Sequence, residues 1–145
     1  MRLGYKVPTL VSVTKSGTDE ELLALAAAGA VDIGENRPGE ILRRGEILRG
    51  AGFTPRMHEI GSLQTNKVKL IAESVYLVHS LDSQHLAKEL NKKALAHERQ
   101  IPVLIEINSG REEQKGGIFP EAAEEFELDE DDEDEFDIRT IEEEI

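Results

Sequence analysis

The sequence predicts an α/β fold in which helices connect the strands of a parallel sheet. Three observations predict this fold. Short apolar and β-branched segments recur at a spacing of roughly 20–25 residues, amphipathic segments with helix-start signals separate them, and polar side chains follow the apolar segments. Alternating strands and helices form parallel sheets with right-handed crossovers. The alternation by itself is compatible with a closed barrel and with an open sheet.

The first unit begins with a strand predicted over residues 9–14, because TLVSVT is small, β-branched and apolar. Thr18 and Glu21 have the spacing of a capping box and predict the start of a helix. Gly29 suits the position after that helix, since glycine readily adopts a left-handed backbone. A second strand is predicted at residues 31–33. Together these segments make the first strand–helix–strand unit.

The next units follow the same order. Asn36 is predicted to cap a helix that has Pro38 in its first turn and extends to about Leu48. Residues 57–60 predict a third strand, and a helix is predicted over residues 66–74. These segments continue the alternation without a break.

The last two predicted strands are residues 75–79 and 101–107. Between them, Asp82 or Ser83 caps an amphipathic helix. Polar side chains then stand at the carboxyl ends of the strands, where parallel α/β folds place their functional sites. These side chains are Lys15, Asn36, Ser80 with Asp82, and Asn108.

The charge of the chain is concentrated at its carboxyl end. The 145 residues carry a formal net charge of −13, but residues 121–145 contain 15 acidic residues and one basic residue. Residues 1–120 are therefore close to neutral, which gives no electrostatic footprint for nucleic acid. Eight of the nine residues 127–135 are acidic, and their repulsion predicts a solvated, extended segment. We therefore expect a folded domain over residues 1–126 and a disordered acidic tail over residues 127–145.

Composition excludes several kinds of site. The chain contains no cysteine, which rules out disulfides, thiolate metal sites and a cysteine nucleophile. Its four histidines lack the spacing of metal ligands, so no metal is expected. No apolar run reaches the ~20 residues of a membrane helix, and the first residues lack the features of a signal peptide. We therefore expect a cytoplasmic protein.

Five stretches of the chain carry a family resemblance when they are taken together. They are VSVTK (11–15), DIGENR (32–37), HEIGSLQTNKVK (58–69), VHSLDS (78–83) and VLIEINSGREEQKGGI (103–118). In this order and at these spacings they resemble the pyridoxal 5′-phosphate (PLP) homeostasis proteins, the YggS/PROSC group. The combination of GEN with H-x-I-G-x-L-Q-x-N-K is specific, whereas each piece alone is a weak signal.

The resemblance implies a fold of the alanine-racemase N-terminal-domain type, a (β/α) barrel that binds PLP. Such a barrel has eight strands, whereas this chain provides about five strand–helix units before its acidic end. We therefore expect a truncated barrel with two open sheet edges, which favour self-association. The resemblance places the phosphate-binding loops after the seventh and eighth strands, beyond the matching stretches.

The resemblance also assigns roles to individual residues. Lys15, at the end of the first strand, is the lysine that would form a Schiff base with PLP. Asn36 would contact the cofactor ring, although from the residues alone it is equally a helix cap. His58 could point into the barrel, but a strand histidine is more often a hydrogen-bonded core residue, and this structural role is favoured. Lys115 would approach the cofactor or an incoming aldehyde, or else be an exposed loop lysine, and Glu35 is expected in a salt bridge or loop.

The function that the resemblance implies is PLP homeostasis, in which the protein buffers the cofactor or delivers it to PLP-dependent apoenzymes. No catalysis is expected, because a racemase or decarboxylase of this fold needs a second acid–base group facing the cofactor. The two tyrosines, Tyr5 and Tyr76, are not predicted at carboxyl ends of strands. Two alternatives remain open: a racemase-like enzyme, and a truncated family fragment without function. Neither nucleic acid nor a membrane is an expected partner.

Overall fold

Within residues 6–123 and 125–126, which the structure describes, five parallel strands form one sheet in which each strand pairs with its successor along the chain. The structure is a computed structural model. A doubly wound sheet reverses its strand order, whereas the wall of a (β/α) barrel keeps the sequential order found in this sheet. The strands are β1 (Ser12–Val13), β2 (Asp32–Glu35), β3 (Arg56–Glu59), β4 (Leu77–Leu81) and β5 (Val103–Ile105).

Helices follow the strands and confirm the predicted alternation. The helix predicted over residues 66–74 is divided between a 3₁₀ turn and a short α-helix. No helix in the described part of the chain combines the length and apolar character required to cross a membrane. The tail predicted over residues 127–145 lies outside the described residues. The helices are α1 (Asp19–Ala27), α2 (Pro38–Gly50), α3 (Val68–Ile71, after the 3₁₀ turn Thr65–Lys67), α4 (Gln84–Ala96) and α5 (Pro120–Ala123).

Several strands are shorter than the sequence predicts, and one is displaced. β1 has two residues where residues 9–14 are predicted, and in the described sheet this edge strand pairs with β2 alone. The fourth strand begins at Leu77, because the amide of Val75 donates to the carbonyl of Ile71 (2.8 Å) and so closes the preceding helical turn. The fifth strand also has three residues rather than seven. Strand bounds therefore depend on the neighbouring elements, while strand existence is correctly predicted.

Two of the predicted N-caps and the predicted glycine after α1 are confirmed. Thr18 and Glu21 form the capping box, and Gly29 follows α1 with a left-handed φ of 103°. Ser83 caps α4 by accepting a hydrogen bond from the amide of Leu86 (3.2 Å). These local signals set the starts and ends of the helices that flank the sheet.

The predicted capping role of Asn36 is wrong. The N-cap of α2 is Arg37, whose side chain makes no capping bond, and the helix begins at Pro38. Proline disfavours helical backbone in the residue before it, and Arg37 is extended, with φ −125° and ψ 127°. Asn36 therefore belongs to the extended segment that leaves β2.

The hydrophobic core lies between one face of the sheet and the helices. Ile33, Met57 and Val78, on three neighbouring strands, are at most 1% exposed. Side chains alternate between the faces of a strand, so His58 and His79 lie on the opposite face of the sheet. The larger core residues that the helices contribute are Leu22, Ile41, Leu48, Val68, Ile71, Leu86 and Leu90.

Candidate functional site

Two predicted site residues lie at the carboxyl ends of the neighbouring strands β1 and β2. Lys15 lies two residues after β1, and its side chain is exposed. Asn36 directly follows β2 and is half-buried. The amide of Thr14 donates to the carbonyl of Gly34 (3.1 Å), which continues the pairing of the strands up to the turn that carries Lys15. Among the described residues, no hydrogen bond or ion pair occupies the Lys15 amine, so the amine is accessible.

A buried arginine on α2 makes hydrogen bonds to the turn that carries Lys15. Arg44 is 5% exposed, and its guanidinium donates to the carbonyls of Thr14 (2.5 Å) and Gly17 (2.6 Å). It also pairs with Glu35 (2.9 Å), which accepts a further hydrogen bond from the hydroxyl of Thr14. The salt bridge expected for Glu35 is confirmed, whereas Arg44 was not singled out from the sequence.

The sequence did contain a signal for Arg44. It stands three residues after Ile41 and four before Leu48, and both of these are buried on the inner face of α2. A charged residue on the apolar stripe of an amphipathic helix must find partners inside the protein. Its partners lie on β2 and in the turn between β1 and α1, which the spacing alone does not indicate.

Gly61 holds the backbone of Asn36 close to the end of β3. A Cβ atom added at Gly61 would lie 2.5 Å from the carbonyl oxygen of Asn36 and 2.8 Å from its Cα. A residue with a side chain cannot make this approach without moving the backbone. The amide of Gly61 donates to the carboxylate of Glu59 (2.9 Å). The segments that follow β2 and β3 are thereby fixed against each other beside the candidate site.

Glu59 is a buried carboxyl group next to this contact. It is fully buried, and its second oxygen, Oε2, has no hydrogen-bond partner among the described residues. Burial raises the pKa of Glu59 to about 7; the hydrogen bond from Gly61 opposes this rise, and the nearby Glu35 carboxylate adds to it. Glu59 therefore exchanges its proton near neutral pH.

His58 lies at the centre of a polar chain on the face of the sheet opposite the core. It is 2% exposed, its Nε2 lies 2.9 Å from Oδ1 of Asp32, and its Nδ1 lies 2.9 Å from Nε2 of His79. Asp32 is also paired with Arg56 (2.6 Å). Both ring nitrogens of His58 are used within the protein, which favours a structural role over direct contact with a cofactor.

Burial and neighbouring groups shift the pKa values of Asp32 and His79 in this polar chain of side chains. Burial opposes ionisation of Asp32, but hydrogen bonds from Arg56 and His58 outweigh it and hold the pKa of the Asp32 carboxyl below its usual value. Burial lowers the pKa of His79, and the nearby His58 lowers it further. The bond between His58 and His79 joins two ring nitrogens, one of which donates while the other accepts.

Tyr76 lies at the amino end of β4, away from the edge that carries Lys15. Its ring is 5.3 Å from the ring of His58, and the guanidinium of Arg56 lies over it at 5.1 Å. The phenol is therefore part of the support for His58. Tyr5 lies outside the described residues.

Lys115 lies in the loop that follows β5. Its amine is exposed and pairs with Glu112 (2.7 Å). Asn108, which the sequence places at the carboxyl end of the fifth strand, organises this loop by donating to the carbonyl of Glu112 (2.9 Å) and accepting from its amide (3.2 Å). Lys115 therefore lies in an ordered loop after β5, and β5 is the strand farthest from β1 in the sheet order.

No group of three or more histidine, aspartate or glutamate side chains in the described part of the chain could hold a metal ion. The remaining histidines, His85 and His97, are exposed at the two ends of α4.

Comparison with known proteins assigns the chain to a family. A sequence profile described as "Alanine racemase, N-terminal domain" matches residues 4–141. The chain belongs to this family. The match confirms the fold type that the sequence resemblance implies, and the parallel sheet agrees with it.

The curated relatives carry the name that the motifs indicate. A pyridoxal phosphate homeostasis protein of Aquifex aeolicus is 40% identical over 118 residues, which are 81% of this chain and 51% of the relative. A protein of the same name from Haemophilus influenzae is 34% identical over 112 residues, 77% of this chain and 47% of the relative. The chain therefore spans about half the length of the curated relatives it matches. The resemblance to the PLP homeostasis proteins is confirmed.

Solved structures agree with this placement. PipY of Synechococcus elongatus with PLP bound has a TM-score of 0.68 and 25% identity over 80% of this chain and 54% of PipY. PipY without PLP has a TM-score of 0.70 and 27% identity, over 77% of this chain and 51% of PipY. An alanine racemase of Clostridium difficile matches with a TM-score of 0.61 and 18% identity, over 76% of this chain and 28% of the racemase, and supports the fold alone.

Proposed function

We propose that this chain binds PLP through a Schiff base at Lys15 and acts in PLP homeostasis as a carrier that buffers or delivers the cofactor. The observation that carries the proposal is an accessible lysine amine at the carboxyl end of β1, beside Asn36 at the end of β2. Support comes from the relatives named as PLP homeostasis proteins and from the similarity to PLP-bound PipY.

The residues at the carboxyl ends of β1 and β2 fit the chemistry of the cofactor. PLP carries an aldehyde, and a primary amine condenses with an aldehyde to a Schiff base with loss of water. Lys15 supplies such an amine, and no protein partner among the described residues competes for it. Asn36 supplies an amide that can donate or accept a hydrogen bond, and we assign it to the cofactor ring. We assign His58 to the support of this site, because its ring nitrogens are already bonded.

Lys115 is proposed to meet the incoming aldehyde at the loop after β5. Its amine is exposed, and its ion pair with Glu112 is a surface pair of low strength. Such a pair can be exchanged for contact with an anionic ligand at small free-energy cost.

Binding without catalysis is the activity that the described residues support best. Chemistry on a PLP-bound amino acid needs a second acid–base group at the cofactor. Tyr76 stands at the amino end of β4 and contacts His58 instead. We propose PLP-dependent apoenzymes as the recipients of the cofactor. Measurable racemisation of an amino acid by the PLP-loaded chain would contradict the carrier role.

Trapping with borohydride, followed by peptide mass spectrometry, tests the proposal directly. We expect one stoichiometric PLP adduct on Lys15, and no adduct there in Lys15→Arg, which keeps the charge but lacks the amine. Because Lys15 is exposed, this substitution should change the free energy of unfolding by no more than about 0.5 kcal/mol. Lys69→Arg, at an exposed position on α3, is the matched control. Substoichiometric labelling spread over many lysines contradicts the proposal.

A further inference from the structure

We propose that Arg44 is a positioning residue for Lys15: it holds the turn of residues 14–17 in one conformation by hydrogen bonds to the carbonyls on both sides of the lysine. The inference rests on the proposed function, because it concerns the reactivity of the Lys15 amine. Arg44 is the group that would orient this amine.

The contacts of the turn are concentrated on its two ends. The carbonyl of Thr14 accepts from the amide of Gly17 (2.9 Å) and from Nη1 of Arg44 (2.5 Å). The carbonyl of Gly17 accepts from Nη2 of the same guanidinium (2.6 Å). One rigid, planar group therefore fixes the backbone before and after Lys15 and Ser16.

The guanidinium of Arg44 is itself held in place by two carboxylates. Nη1 of Arg44 pairs with Glu35 (2.9 Å), and Nε lies 3.3 Å from the carboxylate of Glu40. The side chains of Arg44 and Glu35 are 6% and 2% exposed, so solvent cannot readily replace these partners. Glu35 also receives the hydroxyl of Thr14. The turn, β2 and α2 are thus joined through one buried ion pair.

In the described part of the chain, no hydrogen bond or ion pair restrains the side chain of Lys15. It is exposed and unpaired within the described residues, so the direction of its amine depends on the backbone that carries it. A reacting group gains its rate advantage from correct placement, and small displacements cost large factors in rate. Loss of the hydrogen bonds from Arg44 should therefore lower the reactivity of Lys15 even where the fold survives.

Arg43 provides the matched control on the same helix. Its side chain is 45% exposed, and it pairs with Asp19 (2.7 Å) and Glu40 (2.8 Å) rather than with the turn. Arg43→Met removes the same charge from the same cluster but leaves both carbonyl contacts of Arg44 in place. A general effect of charge on PLP attraction would appear in both methionine variants.

Three variants test the role of Arg44. Arg44→Lys keeps the charge beside Glu35 but cannot span both carbonyls, and Arg44→Met removes the contacts altogether. Because Arg44→Met leaves Glu35 as an uncompensated buried charge, the double variant Glu35→Gln/Arg44→Met removes both charges together. Circular dichroism and cooperative urea unfolding show which variants are folded before any labelling is compared.

The main readout is the rate at which PLP forms a borohydride-trapped adduct on Lys15. We expect this rate to fall by about tenfold or more in Arg44→Met and in the double variant, with partial recovery in Arg44→Lys, and to stay within about twofold in Arg43→Met. Hydrogen exchange of residues 14–17 should accelerate in the same order. Without PLP, the rate of acetic anhydride labelling of Lys15 relative to Lys69 can be measured as a function of pH. We expect this pH profile to change in the Arg44 variants alone.

The outcomes separate the two proposals. A folded double variant that labels Lys15 at the wild-type rate, with unchanged exchange and an unchanged pH profile, overturns the role of Arg44. Lower stability with the same Lys15 reactivity also overturns it, since Arg44 would then serve the fold alone. If the wild-type chain forms no specific adduct on Lys15, the proposed function fails. Hydrogen exchange and acetylation without PLP then still decide whether Arg44 positions the turn.

Discussion

At the scale of single residues, the two buried glutamates at the ends of β2 and β3 differ in their partners. Glu35 is paired with Arg44, so its charge is compensated inside the protein. Glu59 is fully buried, and its contacts within the described residues include no cation. Burial raises the pKa of Glu59 to about 7. The same residue type therefore has different surroundings at neighbouring positions of the sheet.

Glu59 should make the protein less stable as the pH rises. The folded-state pKa of Glu59, about 7, exceeds the ordinary glutamate pKa of 4.5, so the folded state binds the proton more tightly than the unfolded state. The resulting stability is complete below pH ~4.5 and is lost as the pH rises through ~7, an effect of about 3 kcal/mol. We expect Glu59→Gln to remove this decline in urea unfolding measured between pH 5 and pH 8.

Glu20→Gln serves as the control for Glu59, because it removes a carboxylate from the exposed surface of α1. His79 titrates in both proteins, so the comparison with wild type isolates the contribution of Glu59. The same pH dependence in Glu59→Gln and wild type would show that Glu59 is ionised in the folded state without cost.

At the scale of elements, the close contact after β2 and β3 determines where Asn36 lies. We expect Gly61→Ala to destabilise the protein by about 1–3 kcal/mol, because the new Cβ would lie 2.5 Å from the carbonyl oxygen of Asn36 and must displace it. Urea unfolding gives the free-energy change, and the yield of the PLP adduct reports the effect on the site. Gly39→Ala is the control, since a Cβ there meets nothing within 4 Å and alanine favours helix α2. Equal stabilities for the two variants would contradict the close contact.

At the scale of the whole molecule, the described sheet has two edges. β1 pairs with β2 and β5 pairs with β4, and apolar side chains near both edges are exposed. Leu10 is 82% exposed, Val13 54% and Ile107 48%. Exposed apolar edges promote pairing between chains.

Self-association of the chain should therefore depend on the β1 edge. We expect analytical ultracentrifugation to show concentration-dependent association of the wild-type chain and weaker association of Leu10→Lys and Val13→Lys, because charge on an edge strand opposes pairing. Leu95→Lys, at an exposed position on α4, should leave association unchanged. A wild-type chain that sediments as a monomer at all concentrations would show that these edges do not pair.

Local sequence signals suffice to predict the features of this protein that depend on neighbours in the chain. The alternation of strands and helices, the capping box of Thr18 with Glu21 and the left-handed Gly29 follow from short-range propensity and spacing. Lys15 after the first strand and the family of the chain follow from contiguous motifs. The capping and glycine signals lie within a few residues of the features they set, whereas the family follows from five stretches taken together in order and spacing.

The contacts between residues that are distant in sequence become visible in the folded structure alone. Arg44 contacts a carbonyl 30 residues earlier in the chain, and His58 bonds to residues 26 positions before it and 21 positions after it. Within the described residues, Glu59 has no cationic partner, and this too is a property of its surroundings in the sheet. Such contacts depend on strand register and on helix packing, which bring together residues whose separation in sequence carries no local signal.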